Sequence, residues 1–247
     1  LTNKFLIKNK NFTPTYLTRL SPDNSNVQIP ISEWWNGTTD SIEFVSNKIK
    51  DFEISKKLLE ICKKKTLCIF IKNFSHIKNN HLNFQVRQTR DLQKIYKLIN
   101  ILSLKKLNIV ILGKYSDNFI KTFPQSIIKK NKNIFLFKDL SNKNSIADQA
   151  YLSLNSIGYV GNMSGPTSFF GILNKEAIII DAASFYSDKY FKNFMFLYKK
   201  IYNKNEKILK KFVWQKYYEP KECEIIENTY EEIIESLEFK ILKKQNL

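Results

Sequence analysis

From residue 66 onward, short segments that are apolar throughout alternate with longer segments whose apolar residues recur at helical spacing. Short, wholly apolar segments are typical of strands buried on both faces of a parallel sheet. The alternation predicts an α/β fold, a Rossmann-like parallel sheet with flanking helices. The predicted strands span residues 66–71, 108–112, 133–137, 158–160 and 177–180, and the helices between them span 91–104, 118–130, 146–154 and 166–173.

One more helix is predicted over residues 229–240, after an aromatic, lysine-rich stretch at 186–218 to which no element is assigned. Thr229 is a suitable N-cap, and Glu231 and Glu232 place negative charge in the first turn, where the helix dipole favours it.

Four of the six glycines fall within residues 157–181, a segment with the pattern strand, loop, helix, strand. In a glycine-poor chain they are expected where backbone geometry or close approach requires them. Asn162, Ser164, Gly165 and Thr167 follow the fourth strand and open a helix. Such loops bind anions, most often phosphate, through backbone N–H groups and hydroxyls. This loop has neither the G-x-G-x-x-G nor the Walker A pattern.

Residues that follow the other strands are further candidates, because ligands of open parallel sheets bind outside the carboxyl ends of the strands. Lys72 and Asn73 follow the first strand, and Gly113 and Lys114 follow the second. Together with the loop after the fourth strand, they predict an anionic ligand at this edge of the sheet.

Two of the three arginines, Arg87 and Arg90, lie together just before the helix that follows the first strand. Arginine makes planar, bidentate contacts to phosphate that lysine cannot make. These residues are therefore candidates for binding a phosphorylated ligand. The alternative is a salt bridge at the start of the helix, for example with Asp91.

The net charge of +17 and the pI of about 9.6 favour contact with nucleic acid, an anionic membrane surface or phosphorylated substrates. The charge comes from lysines spread among many Asn and Ile residues, a composition that nucleotide bias also produces. A solvated lysine surface and a functional basic face therefore both remain open.

The three cysteines lack C-x-x-C spacing and indicate a reducing compartment and buried packing. The two histidines have no neighbouring Cys or acidic cluster with ligand spacing, so no metal site is predicted. Apolar runs are too short to span a membrane, and no signal-peptide pattern is present.

No nucleophile elbow, Walker lysine, carboxylate pair or histidine-based triad can be assembled from the sequence. Asp91, Asp139, Asp148 and Asp181 are candidate general bases by placement alone. The alternative for each is a helix cap or a loop hydrogen bond.

The order of these elements resembles a bacterial family of glycosyltransferases with a GT-B-type nucleotide-sugar domain, distantly like fucosyltransferases. The resemblance covers roughly residues 30–240 and rests on 67–72, the Arg87, Arg90 and Asp91 cluster, 108–113, 161–165, 198–214 and 228–234. In that family the first strand ends in His-x-Arg, whereas Lys72 stands here in place of the arginine. Arg87 or Arg90 is then expected to contact the donor diphosphate.

The resemblance implies a metal-independent hexosyl- or fucosyl-type glycosyltransferase of bacterial surface polysaccharide synthesis that needs no cofactor. Its expected partners are a nucleotide sugar and a glycan or lipid-linked glycan acceptor, with no specific nucleic acid. It is expected in the cytoplasm, with peripheral contact to the anionic inner membrane as a further expectation. Arg87 and Arg90 take the catalytic, charge-stabilising role, and the strand-end and loop residues named above bind the donor.

Residues 66–247 would form the nucleotide-sugar-binding domain. Residues 1–65 are too few for the second Rossmann-like domain of a GT-B enzyme, so they form either an N-terminal extension or the remnant of a partner domain. Two other functions remain open: a nonenzymatic basic α/β module that binds nucleic acid or an anionic glycan, and a different nucleotide-using enzyme.

Overall fold

A computed structural model describes residues 39–73, 88–113, 118–141, 145–182, 192–211 and 222–247. Six strands form one parallel sheet in the order β3-β2-β1-β4-β5-β6. The predicted fold class, a parallel sheet flanked by helices, is confirmed. The strands are β1 Thr66–Phe70, β2 Asn108–Ile111, β3 Ile134–Leu136, β4 Gly158–Gly161, β5 Ala177–Ala182 and β6 Phe194–Tyr198.

Helices cover both faces of this sheet. The predicted helix over residues 118–130 is two short helices with Pro124 between them, because proline cannot continue a helix. The helices are α1 Thr39–Ile49, α2 Lys56–Ile61, α3 Leu92–Ser103, α4 Asn118–Thr122, α5 Gln125–Lys130, α6 Phe137–Leu140, α7 Ser145–Asn155, α8 Gly165–Ile172 and α9 Tyr230–Leu237.

The core lies in two layers, one on each side of the sheet. Because successive side chains of a strand point to opposite faces, Leu67 and Ile69 of β1 pack on the side of α3 and α9, and Cys68 packs on the other side with Phe170. All four side chains are fully buried. The uninterrupted apolar strands of the sequence follow from burial on both faces.

The helix predicted at 229–240 begins where the sequence indicates. The Thr229 hydroxyl accepts the N–H of Glu232 at 3.2 Å, and the Glu232 carboxylate accepts the N–H of Thr229 at 3.0 Å. This reciprocal cap confirms Thr229 as the N-cap. After Leu237 the helix widens into one π-helical turn, Glu238–Leu242.

The aromatic, lysine-rich stretch contains strands that the sequence did not predict. It supplies β6, β7 Lys200–Asn203 and β8 Ile208–Lys211, and β9 is Cys223–Ile226. The last three form a small antiparallel sheet in the order β8-β7-β9. In β7, whose sequence is Lys-Ile-Tyr-Asn, only Ile201 is buried, so the strand lacks the continuous apolar run that marks the parallel strands.

Residues 39–65 pack against the sheet domain. Val45 and Ile49 of α1 join a buried cluster with Ala150 and Leu173, and Leu58 of α2 is buried in the layer beneath the sheet. Among the helices of the described ranges, none combines the length and apolarity needed to cross a bilayer.

Candidate functional site

The strand order reverses direction between β1 and β4. From β1 the chain builds outward through β2 and β3, and it then returns to place β4 on the opposite side of β1. In doubly wound sheets, such a topological switch point opens a crevice at the carboxyl ends of the two strands, where ligands bind. Here those ends are Phe70 and Gly161, which are directly paired in register.

Gly161 is required for the close approach of the two strands. Its φ is +154°, and an added Cβ would lie 2.0 Å from the Phe70 carbonyl oxygen. The next residue, Asn162, donates its N–H to that same oxygen at 3.0 Å. Glycine at this position therefore lets β4 end against β1 before the chain enters the loop.

The Asn162 side chain links the segments that form the base of the crevice by hydrogen bonds. Its Oδ1 accepts the Lys72 N–H at 2.7 Å, and its Nδ2 donates to Thr89 Oγ1 and to the Ile180 carbonyl, both at 3.1 Å. The residue is 2% exposed. Both amide hydrogens are used within the protein, so this side chain links β1, β4 and β5 and has no donor left for a ligand.

The loop that opens α8 is shaped by Ser164 and Thr167. The buried Thr167 hydroxyl accepts the Ser164 N–H at 2.8 Å, and the Thr167 N–H donates to the Ser164 carbonyl at 3.1 Å. Gly165, the first helical residue, is exposed, and nothing lies within 4 Å of the position a Cβ would take. Among the described residues, none accepts the Gly165 N–H, which is available at the helix N-terminus.

The segment before α3 returns to the end of β1. The Thr89 N–H donates to the Lys72 carbonyl at 3.0 Å, and Asn73 Nδ2 donates to the Thr89 carbonyl at 2.8 Å. Arg90 follows and is exposed. Lys72, Asn73 and Arg90 thus lie at the carboxyl end of β1, on one side of the switch point.

Four charged side chains, three buried and the last partly buried, lie beneath this segment and form what we call the charge cluster: Lys94, Asp181, Lys199 and Glu227. Lys94 Nζ is 3.1 Å from Asp181 Oδ2 and 3.0 Å from Glu227 Oε2. Lys199 Nζ is 3.4 Å from Glu227 Oε1 and donates to the Gln88 carbonyl at 2.6 Å. Two cations and two anions balance, as the burial of charge requires.

Glu227 ties the charge cluster to the backbone before α3. Its carboxylate accepts the N–H of Arg90 at 2.7 Å and that of Asp91 at 3.2 Å, in addition to the two lysines. The backbone at Arg90, and with it the starting point of the guanidinium side chain, is therefore fixed by a residue far away in sequence.

Asp181 is held in an unusual backbone conformation at the carboxyl end of β5. Its φ is +48°, in the left-handed region that few residues other than glycine adopt. Asn228 holds it by a reciprocal pair: the Asp181 N–H donates to Asn228 Oδ1 at 2.6 Å, and the Asn228 N–H donates to Asp181 Oδ1 at 2.8 Å. Thr89 Oγ1 donates to Asp181 Oδ2 at 2.6 Å.

Burial shapes the protonation of the charge cluster. It raises the pKa of Asp181 and lowers the pKa of Lys199, since it disfavours the charged form of each. Burial alone would also raise the pKa of Glu227, but the charges of Lys199 and Lys94 outweigh it and hold that pKa below its ordinary value.

A shallow groove opens beside the charge cluster, between the starts of α3 and α9. It is lined by acidic and basic side chains, among them Asp91, Lys97, Glu227 and Glu231. Such mixed charge does not favour a diphosphate. The open N–H of Gly165 at the switch point suits an anion better.

The structure brings several predicted site residues together and separates others. Lys72 and Asn162 are in direct contact, with Asn73 and the Ser164 to Thr167 loop at the same edge. Gly113 lies one strand further out, after β2, with a φ of +138°. Arg87 and Lys114 lie outside the described residues.

Three of the aspartates considered as bases have other partners. Asp91 caps α3 by accepting two N–H groups, and Asp148 accepts the Ser55 N–H at 3.0 Å and the Ser141 hydroxyl at 2.8 Å. Asp181 belongs to the charge cluster. Sequence reasoning missed Lys94, Lys199 and Glu227, because each is one among many lysines and glutamates. No group of three or more metal-ligating side chains occurs in the part of the chain that the structure describes.

No model of a known protein family matches the sequence, and no curated protein matches it. Solved structures do match. One is E. coli heptosyltransferase WaaC with ADP-2-deoxy-2-fluoro heptose, at 11% identity and a TM-score of 0.42, over 64% of this chain and 41% of that chain. Another is E. coli ADP-heptose LPS heptosyltransferase II, at 11% identity and a TM-score of 0.48, over 84% of this chain and 53% of that chain. This chain spans about half the length of these structures.

Proposed function

We propose that this chain is the donor-binding part of a glycosyltransferase that transfers a sugar from a nucleotide sugar to a glycan acceptor in bacterial surface polysaccharide synthesis. Donor binding is supported by the switch point between β1 and β4, which has an open helix N-terminus beside it. The proposal that the enzyme transfers a sugar rests on the sequence resemblance to bacterial glycosyltransferases.

In this proposal the donor diphosphate lies against the start of α8. The Gly165 N–H and the Ser164 hydroxyl donate to it, and the helix dipole adds a favourable potential. Because nothing lies within 4 Å of a Cβ built at Gly165, a phosphate group has room to approach the backbone there.

Asn162 and Thr167 take a positioning role. Their polar groups are buried and hydrogen-bonded inside the protein, so they hold the loop and leave the ligand contacts to Ser164 and Gly165. This narrows the sequence prediction, in which all four residues bind the donor.

Lys72 and Arg90 supply positive charge from the β1 side of the crevice, with Asn73 beside them and Arg87 as a further candidate. During transfer, the bond between the anomeric carbon and the diphosphate oxygen breaks as the acceptor oxygen bonds to that carbon. The electron pair leaves with the diphosphate, whose growing negative charge these side chains stabilise. Such electrostatic stabilisation is the catalytic role proposed for the arginines.

The acceptor hydroxyl must lose its proton as the new bond forms. Asp181 is unsuited to accept it, since the residue is 2% exposed and its carboxylate already contacts Lys94, Thr89 and Asn228. If the reaction inverts the anomeric carbon, a general base other than Asp181 must accept this proton; otherwise the proton passes to the departing diphosphate oxygen.

The proposal is tested by thermal unfolding of the full chain with UDP, GDP, ADP and CMP and with their sugars. A ligand at about 100 times its Kd stabilises the folded state by about 2.7 kcal/mol. In a domain of this size that raises Tm by roughly 5–10 °C.

The matched variants are Gly165→Pro and Gly165→Ala. Both add a Cβ in open space, and proline is accepted at a first helical position, but only proline removes the N–H. We expect Gly165→Pro and Arg90→Ala to lose most of the shift, and Gly165→Ala to lose less, because alanine keeps the N–H and adds only a methyl group at the approach. No shift with any nucleotide, or an equal shift in all variants, would overturn the proposed site.

A further inference from the structure

Lysines are concentrated at the end of the sheet opposite the crevice. In a parallel sheet all segments that enter strands lie at one edge, here residues 63–65, 105–107, 129–133, 155–157, 174–176 and 192–193. The C-terminal residues 243–247 join them, because Lys65 Nζ donates to the Gln245 carbonyl and Lys244 pairs with Glu176. We call this surface the lysine edge.

The lysine edge holds twelve lysines and one acidic residue, Glu176. The remaining described residues hold sixteen lysines and Arg90 against seventeen Asp and Glu residues, so their charges balance. Compositional bias would distribute lysine evenly, whereas the net positive charge of the described residues sits on this one surface. Its lysines are Lys63, Lys64, Lys65, Lys105, Lys106, Lys129, Lys130, Lys132, Lys175, Lys192, Lys243 and Lys244.

Many of these ammonium groups are not used within the protein. Lys64, Lys106, Lys129, Lys130 and Lys132 are exposed, and their side chains make no ion pair or hydrogen bond with other described residues. They are available for an external anion.

The two most exposed large apolar side chains of the described residues lie at the same edge. Leu104, 78% exposed, directly follows α3 and precedes the lysines that enter β2. Phe239, 66% exposed, lies beside Lys240, whose Nζ pairs with Glu176 at 2.8 Å at the entrance to β5. Exposed large apolar groups within a basic surface are typical of interfacial membrane binding.

We propose that the lysine edge docks on an anionic membrane surface, with Leu104 and Phe239 entering the headgroup region. Lysine stems can lie along the apolar boundary while their ammonium groups contact lipid phosphates. The edge has no arginine among its described residues, whereas bidentate arginine contacts are prominent in nucleic-acid recognition. The combination of lysine with exposed leucine and phenylalanine favours lipid over nucleic acid.

Docking in this way leaves the crevice accessible. The strands run from the lysine edge to the switch point, and five residues of β1 span about 17 Å at about 3.3 Å per residue. The crevice then faces away from the bilayer, open to a soluble ligand. The proposal concerns a surface remote from the crevice and holds whether or not the chain transfers sugars.

The test is sedimentation of the full chain with vesicles of phosphatidylcholine alone and of equal parts phosphatidylcholine and phosphatidylglycerol. We expect binding to the anionic vesicles only, weakened by added salt. Each lysine near such a surface contributes about fivefold in affinity, so loss of two lysines weakens binding about 25-fold, and repulsion by the two new glutamates brings the double reversal Lys106→Glu/Lys130→Glu to the order of 100-fold or more. The double variant Leu104→Ser/Phe239→Ser should also weaken binding to anionic vesicles, because it removes the two apolar side chains that enter the headgroup region.

Lys204→Glu/Lys207→Glu is the matched control, because it reverses two exposed lysines away from the lysine edge and changes net charge equally. This control should retain most of the binding, and circular dichroism establishes that every variant is folded. The proposal would be overturned if both charge reversals weakened binding equally or if neutral vesicles bound as well as anionic ones. Tight binding to RNA without binding to anionic vesicles would also overturn it.

Discussion

Replacing Glu227 with glutamine tests whether the charge cluster fixes the backbone beside the crevice. The glutamate accepts four hydrogen bonds, from the N–H groups of Arg90 and Asp91 and from the ammonium groups of Lys94 and Lys199. Glutamine keeps the size of the side chain but removes its charge. Its amide group must also turn two hydrogens toward donors that need acceptors.

The expected loss of stability follows from the burial of the partners. Removing one member of a buried ion pair costs about 3–5 kcal/mol, because the other charge is left uncompensated. The Glu227 side chain is 13% exposed and glutamine retains one acceptor oxygen, so the lower end, about 3 kcal/mol, applies. For a domain of this size, Tm then falls by roughly 6–12 °C.

A double-mutant cycle with Lys199→Met isolates the electrostatic part. Lys199 is fully buried, and methionine has a similar length without charge. Each single change leaves an unbalanced charge, whereas the double variant leaves Lys94 opposite Asp181. We expect the double variant to lose at least about 1 kcal/mol less than the sum of the single losses in urea unfolding. Additive losses, or a Tm change of Glu227→Gln near zero, would refute this account of the cluster.

The pH dependence gives a second measurement on the same variant. Since the pKa of Glu227 is held below its ordinary value by the two lysines, its charge stabilises the fold above the unfolded-state pKa. That contribution is lost as pH falls through the folded-state pKa. The Tm difference between wild type and Glu227→Gln should therefore narrow as pH falls below about 4.3, the ordinary value for glutamate.

Three further predictions concern single positions. Gly161→Ala should cost about 3 kcal/mol or more in urea unfolding, because its Cβ would lie 2.0 Å from the Phe70 oxygen in a positive-φ conformation; a near-neutral result would contradict the close approach. Thr229→Ala should cost about 1 kcal/mol in the same assay through loss of the N-cap, while retention of full stability would count against the cap. Burial raises the pKa of Cys62 to about 11 and raises that of Cys68 further, so both thiols should react slowly with Ellman's reagent at neutral pH until the protein is unfolded; fast reaction of either would show that it is accessible.

The fold was largely predictable because its strands are buried on both faces. Burial of both sides of β1 makes every residue from Leu67 to Ile69 apolar, and that pattern needs no knowledge of distant contacts. The small antiparallel sheet was not predictable in this way. In β7 the buried Ile201 lies between partly exposed neighbours, and a single buried residue does not establish a period.

The positions in the candidate site that depend on nearby residues in the sequence were predictable. Gly161 and Gly165 mark the close approach and the open helix start, and their role is visible in a glycine-poor chain. The charge cluster could not be predicted from the sequence, because Asp181 and Glu227 lie 87 and 133 residues after Lys94 and no local pattern marks them. The predicted ligand roles of Lys72 and Arg90 remain predictions.

The reciprocal pair of hydrogen bonds between Asp181 and Asn228 also has a consequence for hydrogen exchange. The amides of Asp181, Asn228, Arg90 and Asp91 donate to side chains of one another's segments, outside any helix or strand ladder. All four bonds involve residue 227 or residue 228, so a displacement of this segment breaks them together. The four amides should therefore exchange with solvent deuterium at a shared rate, as one cooperative unit distributed over three distant parts of the chain.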